Sequence, residues 1–534
     1  MALRVVHPSS STGKPAAPPA PSDVEPATTL FDRLYALYGR VQVSRRGQYS
    51  VERLLALDEY IQTRSLAHVL AVLVAVPLPA LALIVAIDAL PLRPLDDGWR
   101  ADDPLWLRAG LSMMVSSEAM ARVGLHCIPT LKLSRGAHAL LILGTVAVYV
   151  AAMASLGRVR YPFPFSVAVC AAPGVAAFAA LYLGAIARTA TPHERQQFRV
   201  FLLLCAAQGS MLMVYPTFGA VFVALKGSPV AQTALLLLMP VLKLVLRNGF
   251  ARICRPWEDL LPKLTVFSVD VFNALYLVTC LQDAGSWVAT TIIVALDVAQ
   301  LGLLIYGLHR RARLLQAMRQ DLAKLRRQTT EDVLLVPMTV RLVAHDDSLR
   351  HSSGVRLLAC VPHASARVRL GAVAPRPLGD EPGRVEASGQ PSVQVQVLQQ
   401  SMKLLFQSEF IALAEYVECV VPVVYAVYLL ALAQLPNLQY YPRRAEIART
   451  NLSGVLLNFL GYAALESASL LVLHAVMRRR FGLSLLHQLA FVVETHRTIV
   501  QANLTVWILV LVQFTLVHLG ADYEQLFRWI TGGG

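Results

Sequence analysis

The sequence predicts an all-α, polytopic integral membrane protein with about eleven transmembrane helices. Of its 534 residues, 56% are hydrophobic and 15% are charged, against roughly 25% charged residues in soluble domains. The mean hydropathy is +0.53. Apolar windows of about 20 residues, the length that crosses a bilayer, recur along the chain. Composition and window length together exclude an ordinary soluble globular protein.

The apolar windows predict the following transmembrane segments: 65–90, 109–131, 137–156, 166–187, 198–225, 230–247, 264–282, 288–308, 405–434, 452–477 and 503–520. Two of these windows contain charged residues that are costly in a bilayer. The window 109–131 holds Glu118 and Arg122, and the window 230–247 holds Lys243. The predicted number of spans is therefore ten to twelve.

Basic residues flank the apolar windows in a pattern that predicts orientation, because lysine and arginine concentrate in cytoplasmic loops. Arg53 and Arg64 precede the first window, the acidic loop 96–103 follows it, and Lys132 and Arg135 follow the second window. This order predicts a cytoplasmic N-terminus, with the plasma membrane as the favoured location. The exceptions, which fall on the outer side, are Arg443, Arg444 and Arg449.

Composition divides the chain into five parts. Residues 1–28, rich in Pro, Ser and Ala, predict a disordered tail, and 29–64 predicts a cytoplasmic juxtamembrane segment. A first membrane bundle of about eight spans is predicted at 65–308. Residues 309–400 predict a basic cytoplasmic helix followed by a flexible linker. A second bundle, of about three spans and an interfacial amphipathic helix, is predicted at 401–534.

The distribution of charge predicts the partners of the chain. The formal net charge is +14, but the Lys and Arg residues cluster beside apolar windows. The predicted partner is therefore a lipid bilayer and not a nucleic acid. Residues 309–384 carry fourteen Lys or Arg against seven Asp or Glu. This segment suits anionic lipid or a cytosolic protein.

The chain contains no motif typical of soluble enzymes. Its seven cysteines are odd in number and lack C-x-x-C spacing, which predicts neither a disulfide framework nor a zinc site. Metalloprotease, nucleophile-elbow, phosphate-loop and dinucleotide motifs do not occur. We therefore expect no catalytic residue, no cofactor and no metal ligand. Residues 1–28 also lack the apolar core of a cleaved signal peptide.

Two distant segments share one pattern of charge. Asp297 lies within an apolar segment that ends at the arginine pair 310–311, and Glu466 lies within one that ends at the arginines 479–480. An embedded carboxylate costs roughly 2.5–3.5 kcal/mol on insertion scales. Its recurrence at the same offset predicts an internal duplication. The predicted repeat pairs the hairpins 264–311 and 405–480 in parallel orientation.

Six carboxylates fall within apolar segments or near their ends and are candidates for an ion or proton pathway: Asp270, Asp297, Glu409, Glu415, Glu418 and Glu466. A carboxylate within a bilayer must find a partner, a proton or water. Glu415 and Glu418 are three residues apart on one helical face. Like charges this close repel in a low dielectric, which favours uptake of a proton or a cation. The competing interpretation is that the acids only hold helices together.

Prolines interrupt several of the apolar windows. Pro77 and Pro79 lie in the first window, Pro216 in the fifth, and Pro422 follows Glu418. Each proline leaves a backbone carbonyl without its helical amide partner. Broken helices of this kind line the binding sites of transporters, but proline is also common in ordinary membrane helices.

These features favour a secondary transporter or channel for an ion or a small polar solute. The alternative is a membrane receptor or scaffold whose basic linker binds partners or anionic lipid. A third hypothesis is a polytopic lipid-linked transferase, because the acidic loop 96–103 is similar to the metal-binding loop of such enzymes. That loop has adjacent Asp pairs, where the transferases place Asp-x-Asp or Glu-x-Asp.

Several runs of sequence carry a resemblance to a known family. They are residues 45–54, 269–276, 415–422, 488–495 and 513–518. Together they resemble a large family of multi-pass transmembrane proteins of oomycetes of the Phytophthora type. The resemblance extends over most of the chain outside the tail and the basic linker. It implies a multi-pass architecture and an oomycete source, and it implies no activity.

Overall fold

The computed structural model describes residues 42, 47–100, 102–159, 161–163, 165–187, 190–225, 228–284, 287–326, 335–337, 339–340 and 393–520, together with 33, 39 and 41. The described residues from Gln42 onward form one compact unit. The predicted tail at 1–28 and the predicted flexible linker at 341–391 lie outside the described residues. Both predicted membrane bundles contribute helices to the one compact unit.

Every regular element in these described ranges is a helix. The helices are α1 (Val51–Thr63), α2 (Leu66–Ala75), α3 (Leu78–Asp88), α4 (Asp103–Cys127), α5 (Arg135–Val159), α6 (Ser166–Ile186), α7 (Pro192–Ala224), α8 (Pro229–Ile253), α9 (Leu261–Thr265), α10 (Val271–Ala284), α11 (Trp287–Arg326), α12 (Val393–Leu432), α13 (Pro442–Thr450), α14 (Leu452–Phe481), α15 (Leu485–Thr495) and α16 (Arg497–Gln513). A π-helical turn, Val266–Asp270, joins α9 to α10.

Eight helical segments are long and apolar enough to cross a membrane: Leu66–Asp88, Arg135–Val159, Ser166–Ile186, Pro192–Phe222, Val230–Ile253, Leu261–Thr279, Gln394–Leu432 and Leu452–Phe481. The all-helical class is thus confirmed for the described residues, and the eight segments are consistent with a helical membrane protein. The other three predicted spans correspond to α4, α11 and α16. Of these, α16 has 17 residues, about 25 Å of helix, which is shorter than the roughly 30 Å hydrocarbon core. The count of eleven spans stays a prediction.

Pro77 interrupts the first span and separates α2 from α3. In a continuous helix the amide of residue 77 would bond to the carbonyl of Leu73, but proline has no N–H. The hydroxyl of Tyr416 donates to that carbonyl at 2.7 Å. Close by, the side-chain amide of Gln501 donates to the carbonyl of Val76 at 2.5 Å. The break is therefore satisfied by side chains of α12 and α16, as a broken helix within a bilayer requires.

The amphipathic stretch predicted between Leu483 and Ala502 consists of two helices that meet at His496. The first, α15, buries much of its length against α1, α2 and α12. The second, α16, starts at Arg497 and not at the predicted residue 503. It is buried along most of its length among α3, α4, α10 and the π-helical turn. An interfacial position of α15 stays a prediction.

Glu494 at the end of α15 accepts a hydrogen bond from Tyr60 at 2.8 Å and contacts His68 Nε2 at 3.1 Å. Partial burial opposes ionisation, but the contacts with His68 and Tyr60 outweigh it and hold the pKa of Glu494 below its ordinary value. The ionised carboxylate therefore stabilises the folded state above about pH 4.3, the unfolded pKa.

We predict that this contribution is lost as the pH falls below about 4.3 and through the lower folded pKa of Glu494. Since the carboxylate is 36% exposed, the loss should be at most about 1 kcal/mol. Unfolding of wild type and Glu494→Gln across acidic pH measures it. If both proteins lose stability with the same pH profile, Glu494 does not contribute.

The two hairpins of the predicted repeat differ in their packing. Helices α12 and α14 pack along much of their lengths, whereas α10 and α11 have only a short contact. Instead, α11 packs against α12 and α14. Asp297 and Glu466 nevertheless lie close enough to interact electrostatically. The duplication stays a prediction.

Helix α12 connects the polar parts of the bundle. It begins at Val393 and continues to Leu432, so it starts well before the predicted residue 405. It packs against α3, α9, α10, α11, α14 and α15. Buried or half-buried charged side chains lie on it or against it at three levels, around Glu409, around Glu418 and around Tyr428. Each level meets a different group of charges.

Candidate functional site

Four of the predicted carboxylates converge between α8, α11, α12 and α14. One carboxylate oxygen from each of Glu415, Glu418 and Glu466 lies within 4.8 Å of the other two. Asp297 of α11 interacts electrostatically with Glu418 and Glu466. Lys243 of α8 forms an ion pair with Glu418. We call these five side chains the central carboxylate cluster.

In α8 and α14 the central carboxylate cluster lies near the middle of the helix. Glu466 follows Leu452, the first residue of α14, by 14 positions and precedes the last, Phe481, by 15. Lys243 follows the start of α8 by 14 positions and precedes its end by 10. At 1.5 Å per residue, Glu466 is roughly 21 Å from either end of its helix. The middle of a membrane-spanning helix is where ionised groups are most costly.

The central carboxylate cluster contains more acidic side chains than basic ones. Four carboxylates and one ammonium would leave three negative charges if every group were ionised. Glu415 and Glu466 are 6% and 4% exposed. The hydroxyl of Tyr462 hydrogen-bonds to Asp297 and Glu466. Among the described residues, Asp297 Oδ2 is buried and has no hydrogen-bond partner.

Asp270 lies outside the central carboxylate cluster and is paired with an arginine. It ends the π-helical turn and forms an ion pair with Arg247, one helical turn beyond Lys243, with 2.5 Å between Oδ1 and Nε. Both side chains are buried. π-helical turns often occur at functional sites, and this turn places Asp270 against Arg247, one helical turn from Lys243 of the cluster. The charge of Asp270 is nevertheless already compensated.

Glu409 lies at the first polar level of α12, in what we call the Glu409 ion cluster. Its carboxylate accepts from Arg53 Nη2 at 2.5 and 2.6 Å and lies 3.3 Å from Lys263 Nζ. Tyr49 also donates to it. Burial raises the pKa of Tyr49 well above its ordinary value, so the hydroxyl remains a donor. All four side chains are buried, which indicates a structural role.

A third group of charges at the opposite end of α12 was not predicted from the sequence. Asp88, the last residue of α3, forms an ion pair with Arg108 of α4. It also accepts from Tyr428 at 2.5 Å and from Tyr441 at 3.2 Å. Asp88 and Arg108 are 1% and 2% exposed. We call these residues, with Arg444, the Asp88 network.

Arg444 was one of three exceptions to the predicted distribution of positive charge. In the structure it is buried, and its guanidinium carbon lies 5.1–5.6 Å from the ring centroids of Tyr425, Tyr428 and Tyr441. Its Nη1 donates to the hydroxyl of Tyr428 at 3.0 Å. Because this arginine is bound by protein groups, it does not act as a solvated loop charge.

The structure thus brings together Asp297, Glu415, Glu418 and Glu466 and places Asp270 and Glu409 in separate ion pairs. Sequence reasoning treated Lys243 only as a charge that weakened a predicted span. Only Glu415 and Glu418 are close in sequence, because the four carboxylates come from three helices. In the sequence, one signal for the Asp88 network was Asp88 itself, an acid near the end of the apolar window 65–90.

Comparisons with known proteins found no matching family model, no matching curated protein and no matching solved structure. The resemblance to oomycete membrane proteins therefore stays a prediction, and the site must be interpreted from its chemistry. Carboxylate oxygens are the preferred ligands of hard cations. Closely spaced carboxylates in a low dielectric also favour binding of protons, since they cannot all ionise at low cost.

Proposed function

We propose that the protein is a secondary transporter that exchanges a metal cation for protons through the central carboxylate cluster. The observation that carries the proposal is the convergence of three glutamate oxygens within 4.8 Å of one another. Such a site binds either one cation or protons, because both reduce the repulsion between the carboxylates. The two ligands therefore compete, which is the condition for exchange.

Lys243 is the internal cation in this mechanism. Its ammonium pairs with Glu418, and the two side chains are 15% and 13% exposed, so they are more accessible than Glu415. An incoming cation would displace the ammonium from Glu418 and release protons held by the other carboxylates. When the cation leaves, the ion pair forms again. The orphaned oxygen of Asp297 supplies a further position for a proton or a ligand.

The Glu409 ion cluster and the Asp88 network, which lie on opposite sides of the central carboxylate cluster along α12, would close the two ends of the pathway. Along α12, Glu409 precedes Glu418 by 9 residues and Tyr428 follows it by 10, so each level is about 14–15 Å from the cluster. We propose that the ends open alternately. The N-terminus and the basic end of α11 would face the cytoplasm.

The proposal predicts cation-dependent proton flux in proteoliposomes. With a pH gradient imposed, addition of sodium, potassium or calcium chloride should dissipate the gradient for at least one of these cations. Glu466→Gln should slow this flux by about tenfold or more, because it removes one of the three glutamate charges that would stabilise a cation away from water. The amide keeps the size and hydrogen bonding of a protonated acid, so folding should be preserved.

Glu446→Gln is the matched control, because it removes the charge of an exposed glutamate on α13. This variant should transport at the wild-type rate. Wild-type flux in a variant with Gln at 415, 418 and 466 would remove the cluster from the mechanism. Wild-type protein that carries no flux with any of the three cations would contradict transport and favour a receptor or scaffold.

A further inference from the structure

A cavity of about 110 Å³ lies between α4, α5, α6, α7 and α16. Its walls are mostly apolar and include Tyr149, Phe178 and Trp507, with Ser112 and Gln208 among the polar residues. The described lining residues include none from the four helices of the central carboxylate cluster. The cavity is therefore a separate site.

Three side chains that line this cavity have a polar atom without a hydrogen-bond partner in the described part of the chain. These atoms are Ser112 Oγ, Gln208 Oε1 and Trp507 Nε1. All three residues are buried, with exposures of 3%, 6% and 2%. Most buried polar atoms in proteins are paired, and unpaired ones carry a free-energy cost. Three of them around one cavity indicate a ligand.

The orientation of Gln208 is fixed by its amide nitrogen. Nε2 donates to Ser268 Oγ at 2.8 Å and to Asn503 Oδ1 at 3.1 Å, which leaves Oε1 as the unpaired acceptor. Asn503 and Trp507 are four residues apart in α16 and share one helical face. Gln208 is therefore bonded to α16 at Asn503, one helical turn before Trp507.

We propose that this cavity binds a neutral, mainly apolar molecule that carries one hydroxyl group. A hydroxyl both donates and accepts, so it pairs with Gln208 Oε1 and with Trp507 Nε1 or Ser112 Oγ. No ionised side chain is among the described lining residues, so a charged ligand would be uncompensated. The volume of about 110 Å³ is of the same order as the 150 Å³ cavity that holds benzene in an engineered protein, so a single ring is a suitable body for the ligand.

Phenol and benzene are the probes, because they share a ring and differ by one hydroxyl. Binding is measured by equilibrium dialysis of the labelled compounds against the full chain in lipid nanodiscs, with protein-free nanodiscs subtracted. Phenol should bind at least about tenfold more tightly than benzene, since benzene leaves the buried donor and acceptor unpaired. Equal affinity for the two probes would overturn the proposal.

Gly209 provides a variant that fills the cavity. It lines the cavity, and a Cβ built on it meets no atom within 4 Å. Gly209→Phe should therefore fold and lose phenol binding. Gly249→Phe is the matched control, because Gly249 on α8 has the same free space and does not line the cavity. Unchanged phenol binding in Gly209→Phe would overturn the proposed location.

Trp507→Phe tests the hydrogen bond without relying on Gly209. It removes the indole N–H but keeps an aromatic ring, so it should reduce the preference for phenol over benzene, and an unchanged preference would contradict this role.

Competition by 1-dodecanol identifies the source of the ligand. Displacement of phenol supports the hydroxyl end of a membrane lipid, whereas no displacement supports a small free alcohol, and both results uphold the proposed chemistry.

Discussion

Glu409→Ala is expected to lower the free energy of unfolding by about 3–5 kcal/mol, the range measured when one partner of a buried ion pair is removed. The substitution leaves two buried basic side chains, Arg53 and Lys263, without the carboxylate that pairs with them. It also removes the acceptor of the Tyr49 hydroxyl. Thermal and detergent-induced unfolding of the purified protein would measure the loss.

Two further variants make this prediction specific. Glu409→Gln keeps an acceptor for Tyr49 and loses only the charge, so its stability should lie between those of wild type and Glu409→Ala. Glu59→Ala on the exposed face of α1 should change stability by no more than about 0.5 kcal/mol. If Glu409→Ala is as stable as Glu59→Ala, the Glu409 ion cluster does not stabilise the fold.

Asp88→Ala is expected to cost a similar amount, about 3–5 kcal/mol, for the same physical reason. The carboxylate of Asp88 pairs with Arg108 and accepts from Tyr428 and Tyr441. Its loss leaves a guanidinium that is 2% exposed without a counter-charge in contact. The exposed Asp97 provides a control, since Asp97→Ala removes the same side chain outside the bundle and should have little effect.

A double-mutant cycle isolates the contribution of the pair. Arg108→Met removes the cation and retains an apolar side chain of similar length. Combined with Asp88→Ala, it should be less destabilising than the sum of the two single changes, with a coupling energy of about 0.5–3 kcal/mol. Strict additivity would show that Asp88 and Arg108 are not paired in the folded protein.

Helix positions were largely predictable because hydropathy is a local property of the chain. The predicted windows 137–156 and 166–187 correspond to α5 and α6, Arg135–Val159 and Ser166–Ile186. Helix boundaries were less predictable where polar residues continue a helix. For α12, the start at Val393 includes glutamines, which have good helix propensity but low hydropathy. The window at 405 therefore missed the first turns.

The candidate site was predictable only as a list of carboxylates. The cost of a charge at membrane depth marked all six acids, and four of them meet. Sequence could not separate Asp270 and Glu409 from the others, because their compensating cations, Arg247 and Arg53, come from other helices. The same holds for Lys243, because only the packing of α8 against the other helices brings it to Glu418.

The sequence by itself determined that this chain is a helical membrane protein with buried carboxylates, because length, hydropathy and the cost of embedded charge depend on each segment alone. Tertiary structure decided which charges compensate one another. It brought Glu415, Glu418, Asp297 and Glu466 together, paired one lysine with Glu418 and enclosed Arg444 among tyrosines. Coulomb energies in a low dielectric depend on distances across helices, and hydropathy does not encode those distances.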